Sequence, residues 1–387
     1  MDMSTLSERE KDCPILECSA GKGAFVKRLE KEGFTNISAY EIDEDCKKHR
    51  RIKTSFINED FLNAEIDKSF AISIGNPPYI RKKNMSPEII ESMETFIERY
   101  DGIVNTLSDF SFPFFIRSIE LLEEGGELIF VTPSYWLTTV HAQSMREYMS
   151  EHGYMRLIVK FNETQLFGRK ANFDPLVFSF IKSKKKKKPQ IQILEIPKMK
   201  YNPSMFHTAR RLFQMNQTEK KESMKDESSK REVKYFRIDQ FNDAGNWSIY
   251  DPDSNDVGIT PAELEARTSG NTLGDIVVIG NGLVTGKDKA FKIDPKMFHE
   301  LNDDEKRCTK RIVKAKSLKK YTHDDATHYI WLNDENIKEE QDLKLNFPNF
   351  HRQLYQFTRE GWKDRRERDR PLEDRYSYNK KIQWWEW

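Results

Sequence analysis

The stretch Ser73–Lys83, SIGNPPYIRKK, places an amide, two adjacent prolines and an aromatic ring directly after a short apolar run. Adjacent prolines lack backbone donors and fix φ, so they cannot lie inside a sheet. Residues 70–74 have the composition of a buried strand, and the side chains of Asn76 and Tyr79 therefore follow its carboxyl end. We interpret the stretch as a functional loop, because folding alone does not require this combination of residues.

The first half of the chain alternates short apolar runs with helix-like segments. Strands connected by helices in this way form a parallel-type sheet that is covered on both faces. We therefore predict an α/β fold with a Rossmann-like sheet. The predicted strands are residues 14–17, 37–41, 55–57, 70–74, 127–132, 154–161 and 175–181, and the predicted helices are residues 24–31, 43–51 and 107–122.

The composition indicates a heavily charged, cytoplasmic protein. The 387 residues include 33% charged side chains and carry a net charge of +1, so only local clusters of Lys and Arg can indicate a nucleic-acid partner. Four cysteines are too few for a disulfide scaffold, and Cys46 and His49 lack a second pair at metal-ligand spacing, so we predict no metal site. No apolar run is long enough for a membrane span, and the N-terminus does not have the pattern of a signal peptide.

The character of the sequence changes after Ile181. Residues 182–189 are a lysine block that ends in proline, and residues 214–234 are polar and low in complexity, which predicts a linker or insertion. We therefore predict a first domain over residues 1–183, a linker or insertion over 184–234, and a second domain over 235–387. The aromatic-rich end, residues 382–387, predicts that the second domain is truncated.

Small and acidic residues follow the first three predicted strands. Gly21 and Gly23 open a helix, so the backbone can approach a ligand closely, although many α/β proteins have an ordinary turn of this kind. Glu41 ends the next strand about twenty residues past the glycines, where a carboxylate can bind the hydroxyls of a ribose. Asp60 and Phe61 follow the third strand and could receive an adenine amino group and line its pocket, or form a simple turn.

Taken together, these motifs resemble the class I, S-adenosylmethionine-dependent methyltransferases. Residues 75–81, GNPPYIR, are similar to the catalytic motif of the gamma group of adenine-N6 DNA methyltransferases, found in restriction–modification systems. The resemblance continues through residues 109–110, 125–126, 132–137 and 166–173, and so covers nearly all of residues 14–183. It implies a class I methyltransferase sheet with helices on both faces, a catalytic domain over residues 1–183, and S-adenosyl-L-methionine as the cofactor.

The resemblance also implies the residues of the site. The predicted cofactor-binding residues are Glu17, Ser19, Ala20, Gly21, Gly23, Phe25, Glu41, Ile42, Asp60, Phe61 and Asn76. The predicted catalytic residues are Asn76, Pro77, Pro78, Tyr79 and Phe167. Phe173 is the alternative to Phe167 as a second stacking residue, and either phenylalanine could instead belong to the core.

The chemistry of methyl transfer to an aromatic amine accounts for these residue types. The lone pair of such an amine is delocalised into the ring, so the nitrogen is a poor nucleophile. If the side-chain oxygen of Asn76 and the backbone oxygen of Pro77 accept its two N–H bonds, the nitrogen can pyramidalise, and rigid prolines hold both acceptors in place beforehand. Tyr79 would then stack on a base that has left the duplex.

The second domain is predicted to recognise double-stranded DNA. Residues 279–291 and 310–321 resemble segments of the C-terminal target-recognition domains of the same family, which implies a mixed α+β recognition domain over 235–387. The predicted DNA-binding residues are Arg81, Lys82, Lys287, Lys289, Lys316 and Lys319. The alternative for the basic segments is a solvated helix face. A cognate restriction endonuclease and association with the nucleoid through DNA follow from the resemblance as expectations.

Other functions stay open at this point. The same Asn-Pro-Pro-Tyr geometry serves methylation of a protein glutamine amide, but the basic C-terminal half favours DNA. A non-catalytic DNA specificity subunit is a second alternative, which the intact Asn76 and Tyr79 disfavour, and a fused nuclease lacks a convincing motif. Family members also carry a segment before the glycines that closes over the methionine end of the cofactor. Only a short polar segment precedes Pro14, so we expect either a substitute there or an incomplete N-terminus.

Overall fold

The fold is known from a computed structural model, and contacts between Cα atoms divide the chain into two compact units, residues 1–267 and 268–387. The structure describes residues 10–46, 48–80, 85–100, 103–104, 109–162, 174–185, 188–197, 202–215, 223–241, 245–251, 267–268, 273–277, 285–314, 317–320, 322–323, 326–332, 337–362, 371–374 and 384–385.

The first unit is built on a ten-stranded mixed sheet, in the strand order β3-β2-β1-β4-β5-β7-β6-β8-β10-β9. Its strands are β1 (Ile15–Glu17), β2 (Ile37–Tyr40), β3 (Phe56–Ile57), β4 (Phe70–Gly75), β5 (Leu122–Pro133), β6 (Gly153–Lys160), β7 (Pro175–Lys182), β8 (Ile191–Glu195), β9 (Ser223–Lys225) and β10 (Glu232–Ile238). Strands β3, β2, β1, β4 and β5 pair in parallel, whereas β7 pairs antiparallel with both β5 and β6. The carboxyl ends of five neighbouring strands therefore meet along one edge.

Helices cover both faces of this sheet, as predicted. The helices of the first unit are α1 (Ala24–Lys31), α2 (Pro87–Arg99), α3 (Ser111–Leu121), α4 (Gln143–His152) and α5 (Pro203–Met215). One core contains buried residues of α2, α3 and α4, and its centre is Phe115, whose ring contacts Phe130, Trp136 and Phe178. A second core contains buried residues of α1 and α5, so the apolar strands are shielded from water on both sides.

Three segments differ from the sequence-based expectation, and one of them is β10, which spans the predicted start of the second domain at residue 235 and lies in the sheet of the first unit. Residues 43–51, predicted as a helix, form turns in the described part. Their charged sequence offers no apolar stripe that a helix could bury, and a short isolated helix is not stable in water. Residues 184–234, predicted as a linker or insertion, contain β8, α5 and β9, and β8 pairs in parallel with β6. The prediction was based on the lysine-rich and polar composition around β8 and α5. The apolar residues of these two elements become buried only when the sheet and its second core form.

The second unit is a smaller mixed α+β structure. Its strands are β11 (Lys292–Ile293), β12 (Thr309–Ile312), β13 (Leu318–Lys319), β14 (Thr322–His323) and β15 (Thr327–Ile330), and its helices are α6 (Asp288–Phe291), α7 (Pro295–Glu300), α8 (Asp303–Arg307), α9 (Glu340–Asn346) and α10 (Pro348–Tyr355). The strand order β11-β15-β12 forms a sheet, and β13 and β14 form a separate pair. Phe291, Tyr329 and Phe350 are buried in its core. Within the described ranges, no helix is both long enough and apolar enough to cross a lipid bilayer.

A buried arginine joins the elements that follow β5. Arg146 of α4 is fully buried, and its guanidinium donates to the backbone oxygens of Trp136 at 2.6 Å, Thr139 at 2.9 Å and Gly245 at 2.7 Å. Trp136 and Thr139 belong to the segment after β5, which contains two short 3-10 turns, Ser134–Leu137 and Val140–Ala142. This single side chain therefore links backbone oxygens of the segment after β5 to the backbone oxygen of Gly245.

Replacing Arg146 with methionine should lower the free energy of unfolding by on the order of 3 kcal/mol, because three backbone oxygens lose a charged donor. Arg307→Met is the matched control, since the Arg307 side chain is 78% exposed and pairs with an exposed Asp304. Its effect should stay within about 1 kcal/mol. Urea denaturation compares the two variants, and equal losses would contradict the structural role of Arg146.

Candidate active site

The site lies where parallel pairing aligns the ends of β2, β1, β4 and β5. Glu17, the last residue of β1, is in register with Ala39 of β2 and Ile74 of β4. The residues that come next along each strand are therefore brought to one edge of the sheet. This edge is the position at which open α/β sheets bind ligands.

The turn between β1 and α1 requires glycine at two positions. Gly21 and Gly23 have φ values of +53° and +80°, in the left-handed region that favours glycine. A Cβ on Gly23 would lie 2.3 Å from Cδ1 of Ile52, so a side chain there would also clash. The backbone N–H of Ala20 donates to the Tyr40 oxygen at 2.8 Å, which ties the turn to β2. The result is a backbone cradle that has no Cβ at positions 21 and 23.

Glu41 stands directly after β2 and is bound to this turn. Its Oε2 accepts from the N–H of Gly21 at 2.6 Å, and its Oε1 accepts from the N–H of Asp43 at 3.0 Å. These two bonds orient the carboxylate and leave acceptor positions on both oxygens, which is what binding of a ribose diol requires. Next to it the side chain of Ile42 is 66% exposed, an apolar surface beside the cradle.

Glu17 is a buried carboxyl group whose negative charge is only partly compensated. It is 0% exposed, its Oε1 lies 3.4 Å from the N–H of Ser19, and its Oε2 has no partner in the described part of the chain. Burial raises the pKa of Glu17 well above its usual value, and the negative charge of Glu41 adds to this effect. An ammonium group placed here would supply the missing counter-charge, so Glu17, the glycine cradle and Glu41 together fit S-adenosylmethionine.

The other predicted cofactor residues lie around this cradle. The ring of Phe61 is 3% exposed and packs edge-on against Tyr40, with centroids 5.7 Å apart, and stacks on Phe114. Phe25 is half-buried and packs against the second core, and its contact with the cofactor stays a prediction. Asp60 follows β3 in a turn, where its Oδ1 accepts from the N–H of Leu62 at 3.1 Å. For Asp60 the structure therefore contains the turn alternative, and the adenine contact stays a prediction.

The Asn-Pro-Pro-Tyr loop leaves β4 beside the cradle and is tied to it. Ser19 Oγ donates to the backbone oxygen of Asn76 at 3.1 Å, while the Asn76 side chain is exposed at the sheet edge. The hydroxyl of Tyr79 lies 2.6 Å from Asn76 Oδ1 and also reaches the backbone oxygen of Val131 in β5. Burial raises the pKa of the Tyr79 hydroxyl, with smaller contributions from Cys18, Tyr135 and Asp109, so this group stays a neutral donor.

Two supporting contacts around the loop are made by backbone groups. Val131 acts only through its backbone oxygen, which any residue would supply. The N–H of Phe110 donates to the oxygen of Ile80 at 3.1 Å and so joins the start of α3 to the end of the loop. Arg81, Lys82, Phe167 and the alternative Phe173 lie outside the described residues.

The predicted DNA-binding lysines of the second unit have different surroundings. Lys289 on α6 and Lys319 on β13 are exposed, as a phosphate contact requires. The ammonium of Lys287 lies 3.9 Å from the ring centroid of Trp362, a cation–π geometry within the unit. Lys316 lies outside the described residues. Their role in DNA binding stays a prediction.

Comparisons with known proteins bear out the resemblance to methyltransferases of restriction–modification systems. Residues 19–167 match the family model described as Eco57I restriction-modification methylase. The whole chain is similar to the Type II methyltransferase M.HindII of Haemophilus influenzae, at 29% identity with 68% of that protein covered. It is also similar to the Type II methyltransferase M.HincII of the same species, at 29% identity over 99% of this chain and 66% of the relative. The chain thus spans about two thirds of the length of these relatives.

The fold prediction is also confirmed. The structure of the Type IIL restriction-modification enzyme MmeI, solved in complex with DNA, is similar with a TM-score of 0.54, at 11% identity over 91% of this chain and 49% of that one. At this identity the likeness concerns the fold. The predicted class I methyltransferase sheet with helices on both faces is what the structure contains.

Replacing Glu41 with alanine should weaken the binding of S-adenosylhomocysteine at least about tenfold, since two hydroxyls lose a charged acceptor and the Gly21 turn loses its anchor. Calorimetry measures this directly. Asp45→Ala is a nearby control, because Asp45 is an exposed acid of the same segment. An unchanged affinity in the Glu41 variant would refute the ribose assignment.

Replacing Glu17 with glutamine should stabilise the ligand-free protein and weaken cofactor binding. Because the folded-state pKa of Glu17 is raised, the stability contributed by its protonated form is complete below the unfolded-state pKa and is lost as the pH rises through the folded-state value. The Tm of the variant should therefore equal that of the wild type at about pH 4 and exceed it by about 2–4 °C at neutral pH. Thermal scans across pH test this, and a Tm loss at neutral pH would contradict it.

Proposed function

We propose that this chain, which carries a restriction-modification methylase domain, methylates N6 of adenine at a specific sequence in double-stranded DNA. The observation that carries the proposal is the position of the Asn-Pro-Pro-Tyr loop. It leaves β4 at the edge where Glu17 and Glu41 converge, with Asn76 exposed and bonded to Ser19 through its backbone oxygen. Acceptors for an amino group therefore stand next to a cradle for the methyl donor.

The methyl donor of this reaction is S-adenosylmethionine. It supplies a methyl group made electrophilic by the adjoining sulfonium. Glu17 is suited to bind its ammonium group, because the carboxyl is buried and its Oε2 lacks a partner in the described part. Glu41 is suited to bind the ribose hydroxyls, and the glycine turn admits the ligand to the backbone. These residues would hold the donor beside the loop that follows β4.

The loop is suited to activate an aromatic amine without a strong base. Asn76 Oδ1 and the backbone oxygen of Pro77 would each accept one N–H of the amine, which localises the nitrogen lone pair and stabilises the positive charge that develops on it. The fixed φ of Pro77 and Pro78 keeps the two oxygens in position before the substrate arrives. The methylated nitrogen is acidic enough to lose its extra proton readily.

Tyr79 has two roles in this proposal. Its hydroxyl carries one proton and therefore donates to one of its two neighbours at a time, Asn76 Oδ1 or the Val131 oxygen. Donation to Val131 frees Asn76 Oδ1 to accept from the substrate amine. Its ring offers a face on which an extruded adenine can stack, a contact worth about 1–3 kcal/mol toward the cost of leaving the duplex. Phe167 is proposed for the opposite face.

The second unit is proposed to bind DNA and read its sequence. The exposed Lys289 and Lys319 are suited to phosphate contacts, and a mixed α+β unit of this kind can place side chains in a groove. The same family relationship supports a cognate restriction endonuclease as partner and a location in the bacterial cytoplasm, bound to the nucleoid.

Replacing Asn76 with alanine should reduce kcat by about 100-fold to 1,000-fold, whereas the affinity for S-adenosylhomocysteine should persist, because the amide contacts the amine mainly in the transition state. Asn76→Asp keeps an acceptor oxygen at the same place and should lose much less activity. Single-turnover methylation and calorimetry separate the two effects. Full activity in the alanine variant would remove the proposed mechanism.

The substrate class is tested with the wild-type chain and labelled S-adenosylmethionine. The label should enter N6-methyladenine in duplex DNA, and long-read sequencing of DNA from an expressing host should show one methylated site. Translation release factor is offered separately, because the same loop geometry can accept a glutamine amide. Label on glutamine and none on DNA would overturn the proposal in favour of protein methylation.

A further inference from the structure

Asp60 lies at the centre of a hydrogen-bond network that the chemistry above does not use. Its Oδ2 accepts from Asn63 Nδ2 and from Ser92 Oγ, each at 2.6 Å, and its Oδ1 accepts from the N–H of Leu62. Asn63 Nδ2 also lies 3.2 Å from Ser92 Oγ and 3.3 Å from the Ser92 backbone oxygen. Asp60, Asn63 and Ser92 thus form a closed triangle of side chains.

The triangle leaves the carboxylate with one acceptor position. A carboxylate offers about four lone-pair sites, two on each oxygen. Oδ2 uses both with Asn63 and Ser92, and Oδ1 uses one with Leu62, so among the described residues one site on Oδ1 remains. Asp60 is only half-buried and follows β3 at the edge that carries the glycine turn. An incoming ligand can therefore donate one hydrogen bond to an oxygen whose direction is already set.

The hydroxyl of Ser92 comes from a different part of the chain. It lies on α2, the first described helix after the Asn-Pro-Pro-Tyr loop, and α2 is fixed in the first core by the buried Met93 and Phe96. Ser92 faces the turn after β3 and accepts from Asn63 while it donates to Asp60. The position of the Asp60 carboxylate therefore depends on the placement of α2.

We propose that Ser92 is a positioning residue that makes the cofactor site selective for adenine. It holds Asp60 so that the remaining acceptor on Oδ1 receives the exocyclic amino group of the cofactor's adenine. A base with a keto oxygen at that position, such as hypoxanthine, presents an acceptor to the carboxylate and is rejected. This inference rests on the methyl donor named above and is independent of which macromolecule is methylated.

The experiment measures the binding of S-adenosylhomocysteine and of S-inosylhomocysteine, its hypoxanthine analogue, by calorimetry in four forms of the full chain. These are the wild type, Ser92→Ala, Ser92→Thr and Thr95→Ala. The wild type should prefer the adenine ligand at least about 100-fold. Ser92→Ala should reduce that preference about tenfold, mainly by losing affinity for the adenine ligand. Ser92→Thr keeps the hydroxyl and should retain the preference.

Thr95→Ala is the matched control, since this exposed hydroxyl on the same helix donates to the Glu91 backbone oxygen and not to the triangle. It should leave the preference unchanged. Three results would each overturn the inference. Ser92→Ala could weaken the binding of both ligands equally, Thr95→Ala could reduce the preference as Ser92→Ala does, or Ser92→Thr could lose the preference. The assay contains no DNA, so it tests this inference separately from the proposed substrate. If the protein is inactive on DNA but its preference for the adenine ligand still depends on Ser92, the proposed substrate is wrong and this inference stands.

Discussion

The site depends on the parallel pairing of β1 with β2 on one side and β4 on the other. This pairing places Glu17 level with Ala39 and Ile74, so that the residues following each strand emerge at one edge. Antiparallel neighbours would send these ends to opposite sides of the sheet. Backbone hydrogen bonds between strands therefore bring together carboxylates and an amide that lie up to about sixty residues apart in the chain. Direct contacts between these side chains are not needed for this.

The central part of this edge contains a buried carboxyl group, which lowers stability but is suited to bind a charged ligand. A fully buried carboxyl such as Glu17 is costly, and apolar side chains surround it on the neighbouring strands. Gly75 keeps the space beside it open, since a Cβ there would lie 2.9 Å from Glu17 Oε1. A buried carboxyl without a full set of partners is typical of functional sites, which agrees with the role proposed for Glu17 toward an ammonium group.

Around this edge, backbone groups and hydroxyls hold the functional side chains in place. Ser19 ties the glycine turn to Asn76, Val131 receives the Tyr79 hydroxyl, and Ser92 holds Asp60 from another helix. Each of these residues is positioned by a different strand or helix. Ser19 thus joins the glycine turn to the loop that follows β4, whereas Asp60 is held by a separate group of hydrogen bonds.

The sequence by itself determined the α/β class, the strand ends and the motif residues Gly21, Glu41 and Asn76, because these depend on local composition and on the φ requirements of glycine and proline. It did not determine the secondary structure of residues 43–51 or 184–234. There the local charge and polarity led to wrong predictions, because burial in the sheet and its cores decides which residues form helices and strands. Only the tertiary structure placed Ser92 against Asp60. A serine in an amphipathic helix has no distinguishing pattern, and its partner is set by how that helix packs.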